Sequence, residues 1–126
     1  MRRALLALPL LLAALPAAAP AGAQDQQWIQ RGTAQIQALD KVNARISILR
    51  APVGAPTAYG TLTITVRACH ARPEDDVPDA AAWIEVTDSL SPPDAGPVFR
   101  GWLFANAPAV NMVEHPVYDL RILSCE

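Results

Sequence analysis

Charge, lysine and metal-ligand spacings are scarce in this 126-residue chain, and each shortage removes a class of function. Charged residues make up 17% and aromatic residues 6%. Beyond residue 23 the only lysine is Lys41, and no two basic residues adjoin. Nucleic acid and anionic lipid surfaces are held by clusters of Lys and Arg, so neither is expected as a partner. No C-x-x-C or H-x-x-x-H pair occurs, and those are the spacings that close zinc sites. Ser47, Ser89, Ser91 and Ser124 all lack the G-x-S-x-G setting that exposes a hydrolase nucleophile. No apolar stretch reaches the ~20 residues that span a bilayer, so no integral membrane span is expected. No internal repeat is present.

What is there begins with an export signal. Met1-Arg2-Arg3 is a short positive start, Ala4 to Leu15 is apolar apart from Pro9, and Ala21-Gly22-Ala23 offers small residues for cleavage before Gln24. Residues 1–23 are thus expected to be removed, leaving a periplasmic protein of one domain. Residues 24–33 read as a flexible polar leader and 34–126 as a single β domain. All twelve acidic residues lie after residue 23, against eight of the ten basic ones, so the mature chain is acidic. Only Cys69 and Cys125 are available to it, and an even count in an exported protein favours a disulfide. A metal site from Cys69, His70, His115 and Cys125 is the rival. It is disfavoured because neighbours such as Cys69 and His70 point to opposite sides of a strand. No cofactor or metal is expected.

Period-two patterns dominate the domain. Ile36 and Ala38 begin one strand. Val42, Ala44, Ile46 and Ile48 alternate with polar residues and read as the buried face of the next. Leu62, Ile64, Val66 and Ala68 form one face of the clearest strand, with Thr61, Thr63, Thr65 and Arg67 on the other. Trp83, Ile84 and Val86 lie in a strand over 81–88. Val98 to Ala105 is apolar on both faces, which signals a central strand or one under a covering segment. Tyr118, Leu120 and Ile122 form the inner face of the last strand, 117–124. Asn106 is positioned to cap a brief helical turn near residues 107–114. The fold class expected is all-β, a small antiparallel sandwich or barrel of six to seven short strands with that single helical turn. Strict alternation places Cys69 with Thr63, Thr65 and Arg67, and Cys125 with Asp119 and Arg121. Both then lie on the side away from the core, where a bond would staple adjacent strands.

Several of these stretches together resemble the signatures of a bacterial exported family known as domain of unknown function 2155. They are Gly60-Thr61-Leu62-Thr63-Ile64-Thr65-Val66-Arg67-Ala68-Cys69 with Arg72-Pro73, then Phe99-Arg100-Gly101-Trp102-Leu103-Phe104-Ala105 with Pro108-Ala109, and Glu114-His115-Pro116-Val117-Tyr118-Asp119 ending at Cys125. The run Ala38 to Arg45 fits as well. The resemblance spans roughly residues 36–125 and implies an exported, periplasmic protein of alphaproteobacterial type. It implies no activity.

Two groups of residues invite chemistry. Glu114, His115 and Asp119 form a candidate functional turn, in which His115 is either a general base oriented by a carboxylate or a ring that caps the backbone. Trp102 and Phe104, with Arg100 between apolar neighbours, form the sharpest candidate interaction surface, since tryptophan is enriched at binding hot spots. Arg100 is expected to pair with Asp119 or Glu85. The acids Glu74, Asp75, Asp76 and Asp79 lack the glycine and terminal glutamate of a calcium loop. The leading reading is a non-enzymatic binding or envelope-associated structural protein, with a periplasmic or envelope protein as partner. The alternative is a small hydrolase or metal-dependent enzyme using His115, with His70 in support, and a copper or zinc carrier comes third. Nothing in the sequence fixes the oligomeric state.

Overall fold

A computed structural model describes Ala17 and residues 27–126. The expected export signal, apart from Ala17, and its cleavage site lie outside the described residues. Eight strands follow in order: β1 (Ile29–Gln30), β2 (Thr33–Asp40), β3 (Arg45–Pro52), β4 (Pro56–Tyr59), β5 (Leu62–Ala71), β6 (Ala80–Asp88), β7 (Phe99–Phe104) and β8 (Tyr118–Cys125). They form two antiparallel sheets. The larger runs β1-β5-β6-β7 with β4 also on β5, and the smaller runs β3-β2-β8. The sheets face each other and do not close into a barrel, so the architecture is a sandwich. The strand count exceeds six or seven because β1 and β4 are short. β1 also lies inside the expected leader: Ile29 and Gln30 pair with Ala71 and His70, and Arg31 N–H donates to the Cys69 carbonyl at 2.7 Å. No helix among the described residues is long and apolar enough to cross a membrane.

The core lies between the sheets. Ile36 and Ala38 of β2, Leu62, Ile64 and Val66 of β5, Ile84 and Val86 of β6, and Leu120 and Ile122 of β8 are buried there. Each leucine, isoleucine or valine among them contributes roughly 1.5–3 kcal/mol on burial.

Two β-bulges correct the expected position of the cysteines. The β5–β6 register shifts between Val66 and Ala68, so Arg67 is extra and the inward face passes from Val66 to Cys69. The β2–β8 register shifts likewise, with Gln35 opposite Ser124 and Ile36 opposite Ile122. Leu123 is the extra residue there, and Cys125 turns inward. Cys69 and Cys125 are both buried, not on the outer side, and they are bonded with Cα atoms 5.6 Å apart. The bond joins β5 of one sheet to β8 of the other through the core. It does not staple neighbouring strands.

Residues 42–48 are corrected in phase. Asp40 closes a hairpin onto Arg45, its carboxylate accepting from the Val42 and Asn43 backbone N–H groups at 3.0 Å each. Cross-strand partners share a face, and β2 buries Ala34, Ile36 and Ala38. Their partners Ala51, Leu49 and Ser47 therefore turn inward. Ile46 and Ile48 face solvent, 61% and 55% exposed.

The 107–114 segment is not helical. It holds a single turn, with Val110 N–H donating to the Ala107 carbonyl at 3.1 Å. A run this short between Pro108 and Pro116 gains too few helical hydrogen bonds to offset nucleation. It serves as a cover: Val113 is buried in the core, and the Asn111 side-chain amide donates to the Trp102 carbonyl at 3.0 Å. β7 is accordingly an edge strand with a covering segment, not a central strand.

Candidate functional site

The register of the larger sheet assembles an aromatic outer face. Trp83 of β6 lies between Ala68 of β5 and Trp102 of β7. The next row along holds His70, Ala81 and Phe104, and on the other side comes Thr65, Glu85 and Arg100. Leu103 and Ala82 are buried in the core, so their neighbours Trp102, Phe104, Trp83 and Ala81 point away from it. Trp102 is 37% exposed, and its ring centroid is 5.7 Å from that of His70. The third tryptophan, Trp28, stands beside β1 with the Arg72 guanidinium 4.0 Å over its ring, a cation–π contact. Glu85 draws in Arg67 at 3.5 Å and Arg100 at 3.6 Å. Arg100 therefore pairs with Glu85, one of its two expected partners, and not with Asp119. The result is a band of Trp102, Trp83 and His70 bounded by an Arg67–Glu85–Arg100 charge row. Trp102, Phe104 and Arg100 were legible as a surface from the sequence. Trp83 and His70 join them only through strand pairing.

His115 sits elsewhere, near the far end of β6, in a fully used hydrogen-bond network. Its Nε2 lies 2.7 Å from Asp88 Oδ2. Its Nδ1 accepts from the Val117 and Tyr118 backbone N–H groups at 3.0 and 3.2 Å. Two backbone donors on Nδ1 assign the ring proton to Nε2, which donates to Asp88. The ring also stacks on Tyr118, with centroids 5.2 Å apart, and Tyr118 meets Tyr59 edge-on. The Tyr118 hydroxyl lies over Gly60, whose φ of +56° and missing side chain both suit that approach. The His115 and Asp88 side chains are 7% and 9% exposed. The imidazole has no lone pair left to take a proton from a substrate, so the geometry favours backbone capping over general-base work.

Asp119 is not the carboxylate that orients this histidine. It pairs with Lys41 at 3.4 Å, and Lys41 also donates to the His115 carbonyl at 2.7 Å. Glu114 is exposed. The residue missed from sequence is Asp88, 27 positions away from His115. Its side-chain bond to His115 first, then the Leu90 backbone N–H and the Thr61 hydroxyl, hold its carboxyl below the ordinary value. The only sequence signal for Asp88 is its place at a strand end before Ser89, where an aspartate commonly caps a turn.

The candidate metal ligands Cys69, His70, His115 and Cys125 are dispersed. Cys69 and Cys125 are consumed in the disulfide. His70 pairs with Ala81 near the start of β6, whereas His115 contacts Asp88 at its end. Among the described residues no group of three His, Cys, Asp or Glu side chains is placed to hold a metal ion. In the acidic loop, Asp79 accepts from its neighbour Ala80 and from Asn106, at 2.8 and 3.1 Å. Asn106 is thus a tie between loops and not a helix cap.

The family described as "Uncharacterized protein conserved in bacteria (DUF2155)" matches residues 34–125. No curated protein and no solved structure matches the chain.

Proposed function

The chain belongs to the DUF2155 family, whose description assigns no activity, and on that premise we propose that it is an exported, non-enzymatic binding domain of the bacterial envelope. The observation that carries this reading is the outer face of the larger sheet. Trp102 and Trp83 lie side by side there, with His70 against Trp102 and the Arg67–Glu85–Arg100 row at their border. A half-exposed tryptophan bounded by ion-paired arginines has the composition of a protein-binding hot spot, an apolar centre with a polar rim. A domain of this size ordinarily uses its few large aromatic side chains in its own core. Here the largest fully buried side chains are aliphatic apart from Cys69, which frees the tryptophans for the surface. The export signal at residues 1–23 and the two cysteines support an oxidising, extracytoplasmic setting. The enzymatic alternative through His115 loses support because both ring nitrogens are engaged.

The mature protein is expected to co-sediment with envelope fractions of its own bacterium. Trp102→Ala should weaken that binding by about tenfold or more, as a hot-spot truncation does, with little change in thermal midpoint because the ring is on the outside. Equal binding by wild type and variant would remove this face from the account.

A further inference from the structure

We infer that the free edge of β3 is a self-association edge, at which two copies of the chain pair antiparallel about a two-fold axis at Ser47. Among the described residues β3 is the outer strand of the three-stranded sheet and pairs only with β2. Its other side presents backbone N–H and C=O groups to no described strand, the condition that templates addition of a further strand. The edge of β7 differs, because Asn111 reaches across to its Trp102 carbonyl. Next to the β3 edge lies the largest conflict between local pattern and observed burial. Ile46 and Ile48 stand 61% and 55% exposed, and Val42 of the adjoining turn is 72% exposed. Two β-branched aliphatics on the solvent face of an edge strand cost solubility unless something covers them.

Charge decides what covers them. The two charged residues of β3 are Arg45 and Arg50. Arg50 already pairs with Glu126 at 2.9 Å, and Arg45 lies directly opposite Asp40. With Asp40 and Glu126 beside these arginines in each copy, a second β3 meets the edge without net repulsion, and its Ile46 and Ile48 match those of the first. A two-fold axis at Ser47 sets Ile46 of each copy against Ile48 of the other, so four isoleucines meet on one face. Centring the axis on Ile48 would instead set Ile46 against Arg50. The contact is isologous and turns two three-stranded sheets into one of six strands. It uses the sheet opposite the aromatic face and stands independently of the proposed function. An edge pairing with a small apolar patch is at the low end of interface size, so the association should be concentration-dependent.

Sedimentation equilibrium of the mature chain tests this. A monomer–dimer equilibrium is expected, with Ile48→Lys shifting it to monomer while the thermal midpoint stays in place. Ser47→Cys should oxidise to a covalent dimer, because residue 47 meets its own copy at the axis. Thr63→Cys, exposed on the central strand β5, should not. A monomer mass up to millimolar concentration, with Ser47→Cys cross-linking no faster than Thr63→Cys, would overturn the inference. A dimer that persists in Ile48→Lys, without Ser47 cross-linking, would overturn this edge equally.

Discussion

Replacing both cysteines, Cys69→Ala with Cys125→Ala, is expected to remove about 4 kcal/mol of stability. The bond closes 56 residues of sequence separation, and the chain-entropy relation for a loop of that length gives ~4 kcal/mol. For a domain of about a hundred residues this corresponds to a fall in thermal midpoint of roughly 15–30 °C, a large share of the total stability of such a domain. Position adds to the effect. Strand pairing joins β5 to its sheet and β8 to the other, and the two sheets otherwise meet only through side-chain packing and loops. Besides the connecting loops, the disulfide is a covalent tie between them inside the core, in the same buried cluster as Ile36, Ile64 and Ile122. Because both sulfurs are buried, a mild reductant should leave the native bond intact and cleave it once denaturant opens the sandwich. Scanning calorimetry of oxidised wild type and the double variant checks the magnitude. A fall of less than ~5 °C would mean the sheets hold together without the bond.

The second large effect is expected at His115. His115→Ala deprives the Val117 and Tyr118 N–H groups of their acceptor and removes the imidazole donor from Asp88 Oδ2. Each buried donor left unpaired costs roughly 1–3 kcal/mol, and the stack on Tyr118 is lost as well. The variant should therefore unfold at clearly lower denaturant concentration, while any surviving folded fraction still binds through the aromatic face. An enzyme using His115 as a base would show the reverse, a stable fold with lost turnover. The network also sets an acid limit. The Asp88 carboxyl is held below its ordinary value in the folded chain, so ionised Asp88 contributes stability at pH above the unfolded carboxylate value. That contribution disappears as pH falls through the ordinary value of 3.8 toward the lower folded one. Asp88→Asn should be less stable than wild type at neutral pH and should lose less on acidification. Urea unfolding at a series of pH values measures both slopes.

Much of the fold was legible in the sequence because one face of most strands is buried and one is wet. The Leu62, Ile64, Val66 run, the Tyr118, Leu120, Ile122 run and the proline-rich connections all read correctly, and together they suffice for an all-β sandwich or barrel; the strand order that makes it a sandwich comes from long-range pairing. Errors arose where long-range pairing overrides local alternation. Arg67 and Leu123 are extra residues in strands that otherwise keep period two; the polar Arg67 falls where alternation already expects a polar residue, and a small Ala68 fits either face, so the insertion leaves no mark in the local pattern. Strict alternation therefore puts both cysteines on the outer side, whereas the two bulges turn them inward. In β3 the apolar phase of Ile46 and Ile48 is genuine, but the hairpin from Asp40 to Arg45 locks the strand to β2, whose Ile36 and Ala38 take the core. The site was legible in part for the same reason. Trp102, Phe104 and Arg100 lie within one strand and could be named together. Trp83 and His70 become their neighbours through register, and Asp88 reaches His115 only through the fold.

Site-specific photo-cross-linking in intact cells tests the central claim most directly. A photo-reactive residue at position 67, at the border of the tryptophan band, is compared with one at Asp94 in the exposed β6–β7 loop. Each probe is carried with and without Trp102→Ala. If the aromatic face is the binding surface, position 67 gives a discrete adduct to one envelope component, position 94 does not, and Trp102→Ala removes the adduct. Absence of any adduct from position 67, or one that survives Trp102→Ala unchanged, would contradict the account.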